Sequence, residues 1–151
     1  MSTGWVIAEG NTGSDSFQVR LRRFATQFPR CSFPLRLNIF WSMAKADAKG
    51  YPSIAELELL HSFENRLVKA LEPGGVAVLA MVLTGRGERE FVLYTSDRKE
   101  FLHRLSQMPQ ETDRYPIKIY CNEDRRWEYY EKQANEIGNG LSPSASSTEM
   151  D

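Results

Sequence analysis

Only two cysteines, Cys31 and Cys121, occur in this 151-residue chain, too few for a disulfide framework. Both lie in apolar segments, so a pair of buried free thiols is expected rather than a bridge. Histidine is as scarce: His61 and His103 are the only two, which leaves little from which to build a metal site. No charge of one sign dominates. The formal net charge is −1, whereas a general polyanion binder needs a clear basic excess. The longest apolar run, Val76 to Leu83, is far below the ~20 residues that span a bilayer. The opening MSTGWVIAEG has neither a basic start nor a long apolar stretch, so it does not read as a signal peptide. A cytoplasmic location is expected. No Ser-His-Asp or Cys-His arrangement is suggested by motif, no glycine-x-serine-x-glycine elbow occurs, and no internal repeat is visible.

What is present is an ordinary globular composition, 41% hydrophobic and 26% charged. The chain is long enough to bury about two-thirds of its unfolded surface. WVIAEG and FQVRLRRF form a predicted hairpin, with Phe17, Val19 and Leu21 on one face and Gln18, Arg20 and Arg22 on the other. In LRLNIFWSM, residues Leu35, Leu37, Ile39, Trp41 and Met43 share a face, opposite Arg36, Asn38 and Phe40. SIAELELLHSFENRLVKALE then runs at helical spacing, with a stripe of Leu57, Leu60, Phe63, Leu67 and Leu71. Ser53 and Glu56 are spaced as a capping box, in which the glutamate reaches back to the Ser53 amide.

VAVLAMVL is apolar throughout, which predicts a central strand covered on both faces. REFVLYT returns beside it. The TGRGE between them could cradle a phosphate only if it led into a helix whose amides point at the anion. It leads into a strand, so it is a turn in which glycine supplies positive φ. Asp97 caps a second helix, RKEFLHRLSQM, and IKIYC, with Pro116 at its start and Lys118 inside, reads as an edge strand. RRWEYYEKQA is a last helix with Trp127, Tyr130 and Ala134 at helical spacing.

The order implies an α+β class: a ferredoxin-like βαββαβ antiparallel sheet with an added N-terminal β-hairpin and a C-terminal helix. One domain is expected over residues 1–137, followed by a polar, disordered tail over 138–151. Leu37, Ile39, Leu60, Phe63, Leu67, Leu79, Met81, Leu102, Leu105 and Ile117 are expected in the core or on the sheet face opposite it.

Three stretches carry a resemblance: Gly50 to Pro52 before the long helix, Gly85 to Tyr94 in the hairpin, and Asp124 to Trp127 near the end. Over roughly Trp5 to Tyr130 the chain resembles bacterial domain-of-unknown-function family 695. Arg125 stands where that family usually has proline, which is expected to loosen the turn before Trp127. The resemblance implies no established activity. The layout is also similar to that of the regulator of ribonuclease activity B, a small ferredoxin-like protein that inhibits an RNA-degrading enzyme by binding it. That likeness is one of architecture.

Candidate chemistry is sparse. His61 and Glu64 lie on adjacent turns of one helix face, a titratable pair for an enzyme or small-ligand pocket between the sheet and the C-terminal helix. REFVLY approaches the third-strand signature of RNA-recognition motifs, but Arg89 and Arg36 occupy two stacking positions, so nucleic-acid binding is not expected. Phe17 to Arg36 carries five arginines and no acid, and the acids concentrate toward the C-terminus. These arginines either pair with the acidic C-terminal part or receive an acidic partner. The leading expectation is a non-catalytic protein-binding module, an inhibitor, immunity-type or regulatory factor. Its partner-binding candidates are Arg20, Arg22, Arg126 and Tyr129. No metal or other cofactor is expected, and the sheet face or edge is open to homodimer formation.

Overall fold

A computed structural model describes residues 2–12, 15–109, 115–138 and 148–150. Strands β1 (Ser2–Thr12) and β2 (Asp15–Phe24) form the expected hairpin. They are followed by β3 (Leu35–Ser42), helix α1 (Ile54–Leu71), β4 (Ala77–Gly85), β5 (Glu88–Thr95), helix α2 (Arg98–Ser106), β6 (Ile117–Glu123) and helix α3 (Glu128–Gly138). The class is mixed α+β. These six strands make one antiparallel sheet in the order β6-β3-β5-β4-β2-β1. A three-residue strand, β7 (Thr148–Met150), pairs with Trp5 to Ile7 of β1. The rest of the tail expected to be disordered, apart from Gly138, lies outside the described residues.

The sheet separates two cores. On one face, Leu60, Phe63, Leu67 and Leu71 of α1 pack with Phe101 of α2 onto Leu37, Ile39, Trp41, Leu79, Phe91 and Leu93. On the other, Trp127 and Tyr130 of the α3 segment pack with Phe33 onto Leu21, Met81, Val92 and Tyr94. Strand β4 serves both by alternation: Ala77, Leu79 and Val82 pack in the first core, and Val78, Ala80, Met81 and Leu83 in the second. That alternation is the structural basis of the continuous apolar run. The register of β4 shifts between Leu79 and Met81. The extra residue, Ala80, is a bulge that turns Leu79 and Met81 to opposite faces.

Leu102 departs from the expected core: it is 37% exposed, and Phe101 is fully buried in its place. The face of α2 is set by Phe101, Leu105 and Met108, at spacings of four and three. The cysteines are free, as expected, but not buried: Cys31 is exposed and Cys121 half-buried.

The β4–β5 hairpin turns through Arg86 and Gly87, at φ 53° and 79°, the pair of positive values that a two-residue primed turn requires. Gly50, at φ 84°, lies against it, and a Cβ there would stand 2.5 Å from the Arg86 nitrogen. Gly87 N–H donates to the Gly50 carbonyl at 3.0 Å. The glycine before Pro52 thus closes the β3–α1 connection onto the hairpin.

Ser53 caps α1 as expected, accepting from the Glu56 amide at 3.2 Å. The other half of the capping box does not form. The Glu56 carboxylate instead accepts from the Trp41 indole at 2.9 Å and from the Ala44 amide. Buried at 7% exposure, it ties the helix start to the end of β3. Asp97 caps α2 through the Glu100 amide at 3.0 Å.

Candidate functional site

Asp124 follows β6 and organises the α3 side of the sheet. Its carboxylate accepts from the Tyr94 hydroxyl at 2.8 Å, the Arg36 guanidinium at 3.0 Å, and the amides of Glu128 at 2.7 Å and Tyr129 at 3.2 Å. Burial works to raise this carboxyl, but those four donors hold it below its ordinary value. The two amides are first-turn donors of α3 with no partner inside the helix, so Asp124 caps α3 from outside it. Between them, Trp127 adopts φ 56°, a conformation seldom taken by a bulky side chain. Its ring is fully buried, stacks on Tyr94 with centroids 4.1 Å apart, and donates to the Phe33 carbonyl at 2.9 Å. Arg125, at the place of the expected proline, pairs with the exposed Glu123 at 3.2 Å.

The network continues along β3 and β5. Arg36 donates to the side-chain amide oxygen of Asn38 at 2.9 Å, and the Asn38 side-chain NH2 donates to Glu90 at 2.7 Å. The Tyr129 hydroxyl donates to both Glu90 oxygens, at 3.0 and 2.9 Å. Tyr129 therefore closes a ring, with its amide on Asp124 and its hydroxyl on Glu90, while Arg36 lies 4.9 Å from its ring centroid. Glu90 is 8% exposed. Burial pushes its carboxyl up, and the Asn38 and Tyr129 donors and Arg36 offset only part of that. The Tyr129 phenol is likewise raised, by burial and by Glu90. Burial pushes Tyr130 up to about 12, and its hydroxyl donates to the Arg22 carbonyl at 2.6 Å.

Beside this ring the sheet is open. A groove of about 520 Å³ runs from Glu90 and Tyr129 past Phe40 to Lys118, Tyr120 and Asn122 on the edge strand. Phe40 and Tyr120 meet edge to face at 5.7 Å, and Tyr120 is 52% exposed. Of the expected partner-binding residues, Tyr129 lines this groove and Arg126 is exposed just before α3.

Arg20 and Arg22 lie on the opposite face, toward α1. Arg20 pairs with Glu64, and Arg22 pairs with Glu72 at 2.6 Å and donates to the Leu79 carbonyl at 3.2 Å. All four side chains are about one-fifth exposed or less. Beneath them Arg89, 7% exposed, donates to Thr84 at 2.9 Å; burial and Arg20 lower its pKa while Glu64 works the other way. The acidic C-terminal part receives Arg30, through Glu131, and Arg36, through Asp124. Reversing both charges in an Arg20→Glu, Arg22→Glu variant sets four carboxylates beside one another. We expect a melting temperature lower by on the order of 5–10 °C, since roughly 2–3 kcal/mol is lost and each shifts it by about 2–4 °C in a chain of this size. An unchanged melting temperature would show that neither pair holds α1 to the sheet.

The His61–Glu64 pair does not form the expected pocket. Both residues are on α1, across the sheet from α3; His61 is exposed and Glu64 is committed to Arg20. Of the aromatic residues in REFVLY, Tyr94 is covered by Trp127 and Phe91 is buried in the first core. Among the described residues, no group of three His, Cys, Asp or Glu side chains is placed to hold a metal ion. Nor, among them, is any helix long and apolar enough to cross a membrane.

The elements that build this face, from Trp5 to the middle of α3, coincide with one family. The model of the Family of unknown function (DUF695) matches residues 5–133. The chain belongs to DUF695. Comparison with curated proteins and with solved structures finds no match. All three stretches that carry the resemblance lie within the DUF695 match and have structural work in this chain: Gly50 seats the hairpin, the hairpin feeds β5 with Glu90 and Tyr94, and Asp124 with Trp127 seats α3.

Proposed function

We propose that the chain is a non-catalytic, cytoplasmic protein-binding module, of an inhibitory, immunity-type or regulatory kind, whose partner meets the sheet groove beside α3. The observation that carries this reading is the groove itself: Tyr120 and Phe40 line open sheet next to Tyr129, with Arg126 exposed nearby. Aromatics and arginine supply most hot spots of protein interfaces. The ionisable groups around it, the buried Asp124 and Glu90 and the half-buried Tyr129, are all engaged in holding α3 to the sheet, which leaves the exposed side chains for recognition. A ferredoxin-like reading of the fold accords with this, because β6-β3-β5-β4 is the order in which a βαββαβ unit interleaves its strands. It also extends the architectural likeness to a regulator that acts by binding an enzyme.

The test is capture from a native lysate by the full chain and by an Arg126→Glu, Tyr120→Ser variant. Both side chains are exposed, so the melting temperature is expected to hold within about 2 °C. Affinity for the captured protein is expected to fall by about tenfold or more, the scale of losing one hot spot. A stable variant with undiminished capture would remove this face from the proposal.

A further inference from the structure

The two sheet edges are not alike. Strand β1 carries β7, whereas β6 has β3 as its single neighbour among the described residues. Which backbone groups of β6 are unpaired follows from its ends. The Ser42 amide donates to the Pro116 carbonyl at 3.1 Å, and the Asp124 amide donates to the Pro34 carbonyl at 2.8 Å. The β3–β6 register runs between those points without a shift. Backbone groups alternate in direction along a strand, so the even-numbered residues of β6 turn theirs toward β3. Ile119 and Cys121 turn N–H and C=O outward and Ile117 turns its C=O outward, the Ile117 N–H donating to the Tyr115 carbonyl at 2.9 Å.

The side chains along this edge are poorly covered. No residue of β6 is buried, and Ile119 and Tyr120 are 37% and 52% exposed. On the α2 side, Ile117 and Ile119 border an apolar groove of about 310 Å³ with Leu102, itself 37% exposed. On the α3 side, Lys118 and Tyr120 line the groove that ends at Glu90.

We propose that β6 pairs antiparallel with β6 of a second copy of this chain, about a twofold axis through Ile119. In that register Ile119 faces its counterpart and Ile117 faces Cys121 of the second copy. The ladder on the α2 side is therefore wholly apolar, and it covers the exposed Leu102 and Ile119. On the other side Lys118 faces Tyr120 of the second copy, which places an ammonium by an aromatic ring. The outward C=O of all three residues and the outward N–H of Ile119 and Cys121 gain partners, while the Ile117 N–H keeps its bond to the Tyr115 carbonyl. Neighbouring registers lose this match. Centring on Lys118 sets two lysines directly opposite, and like charges there are destabilising. Centring on Tyr120 sets Ile117 opposite Glu123 and separates lysine from ring. A lone lysine on an edge strand ordinarily deters pairing; here the Ile119 register gives it an aromatic partner. The two Glu90 grooves then meet across the axis, each bordered by Lys118 and Tyr120 of both copies.

Sedimentation of the full chain tests the pairing. The wild type is expected to dimerise below about 100 µM, and Ile119→Lys, which sets two cations on the axis, to weaken association by at least about tenfold. The melting temperature of the dilute variant is expected to stay within about 2 °C of the dilute wild type, because the site is exposed. Crosslinking tests the register. In a Cys31→Ser, Cys121→Ser background, Ile119→Cys is expected to form an oxidised dimer, its Cα atoms lying roughly 5.5 Å apart across the axis. A monomeric wild type, a dimer indifferent to Ile119→Lys, or crosslinking through Tyr120→Cys in preference to Ile119→Cys would each overturn the proposal. So would a monomer whose Ile119→Lys variant loses capture of a different protein, which would assign the edge to that protein.

Discussion

Trp127→Ala is expected to destabilise the protein by about 3–5 kcal/mol, the usual range for deleting a buried large aromatic. The ring contributes in three ways. It stacks on Tyr94 at 4.1 Å, meets Phe24 and Tyr130 edge to face at 5.3 and 5.5 Å, and donates to the Phe33 carbonyl. Truncation opens a cavity in the second core and leaves that carbonyl, which lies on a different segment, without its donor. The backbone at φ 56° is not relieved, because alanine is strained there too. A Trp127→Phe variant keeps most of the packing and loses the N–H, so a smaller loss of about 1–2 kcal/mol is expected. Urea unfolding gives both values. A loss below about 1 kcal/mol for the alanine variant would mean that α3 is held to the sheet by something other than this ring.

Asp124→Ala is expected to cost about as much, roughly 3–5 kcal/mol, because it leaves a half-buried arginine, a buried phenol and two helix-end amides without their acceptor. Acid titration distinguishes this carboxylate from Glu90. The folded value of Asp124 is depressed below its unfolded one, near 3.9. Its contribution to stability is therefore present above about pH 4 and lost as pH falls through the depressed folded value. Glu90 has the opposite sign. Its folded value is raised, so the folded state takes up a proton first and gains stability as pH falls through that raised value toward about 4.3. Unfolding free energy followed from pH 7 downward is expected to rise first and then drop below pH 4. Asp124→Ala removes the drop, and Glu90→Gln removes the rise. An Asp124→Ala variant with an unaltered acid limb would show that other carboxylates carry it.

Much of this was legible in the residues, and the misses have physical reasons. The hairpin through Arg86 and Gly87, the α1 stripe and the Asp97 cap depend on neighbours a few positions away, and local pattern is what a sequence displays. The arginines of β2 were read correctly as one face. They were expected to pair with the acidic C-terminal part or to receive an acidic partner, whereas Arg20 and Arg22 pair with Glu64 and Glu72. A strand's alternation does not tell which helix covers which side of the sheet. Leu21 faces α3, so Arg20 and Arg22 face α1 and its Glu64 and Glu72. Glu56 occupied the right place for a capping box, but the Trp41 indole and the Ala44 amide, brought near by the fold, took its carboxylate. The groove at Glu90 had no signature at all. Asn38, Glu90, Tyr120 and Tyr129 come from four separate elements, and each looks like an ordinary polar position on its own.

The strand order also has a consequence for how the chain comes together. Within β6-β3-β5-β4-β2-β1, only β1–β2 and β4–β5 join strands adjacent in sequence. As the chain leaves the ribosome, β2 must wait for β4, and β3 has no strand to pair with until β5 has emerged. Throughout that interval Leu37, Ile39 and Trp41 have at most α1 to cover them. Long-range pairings of this kind slow folding and prolong the exposure of apolar strands. Synthesis therefore passes through a stretch in which β3 is the segment most in need of a chaperone, and it ends when β5 arrives between β3 and β4.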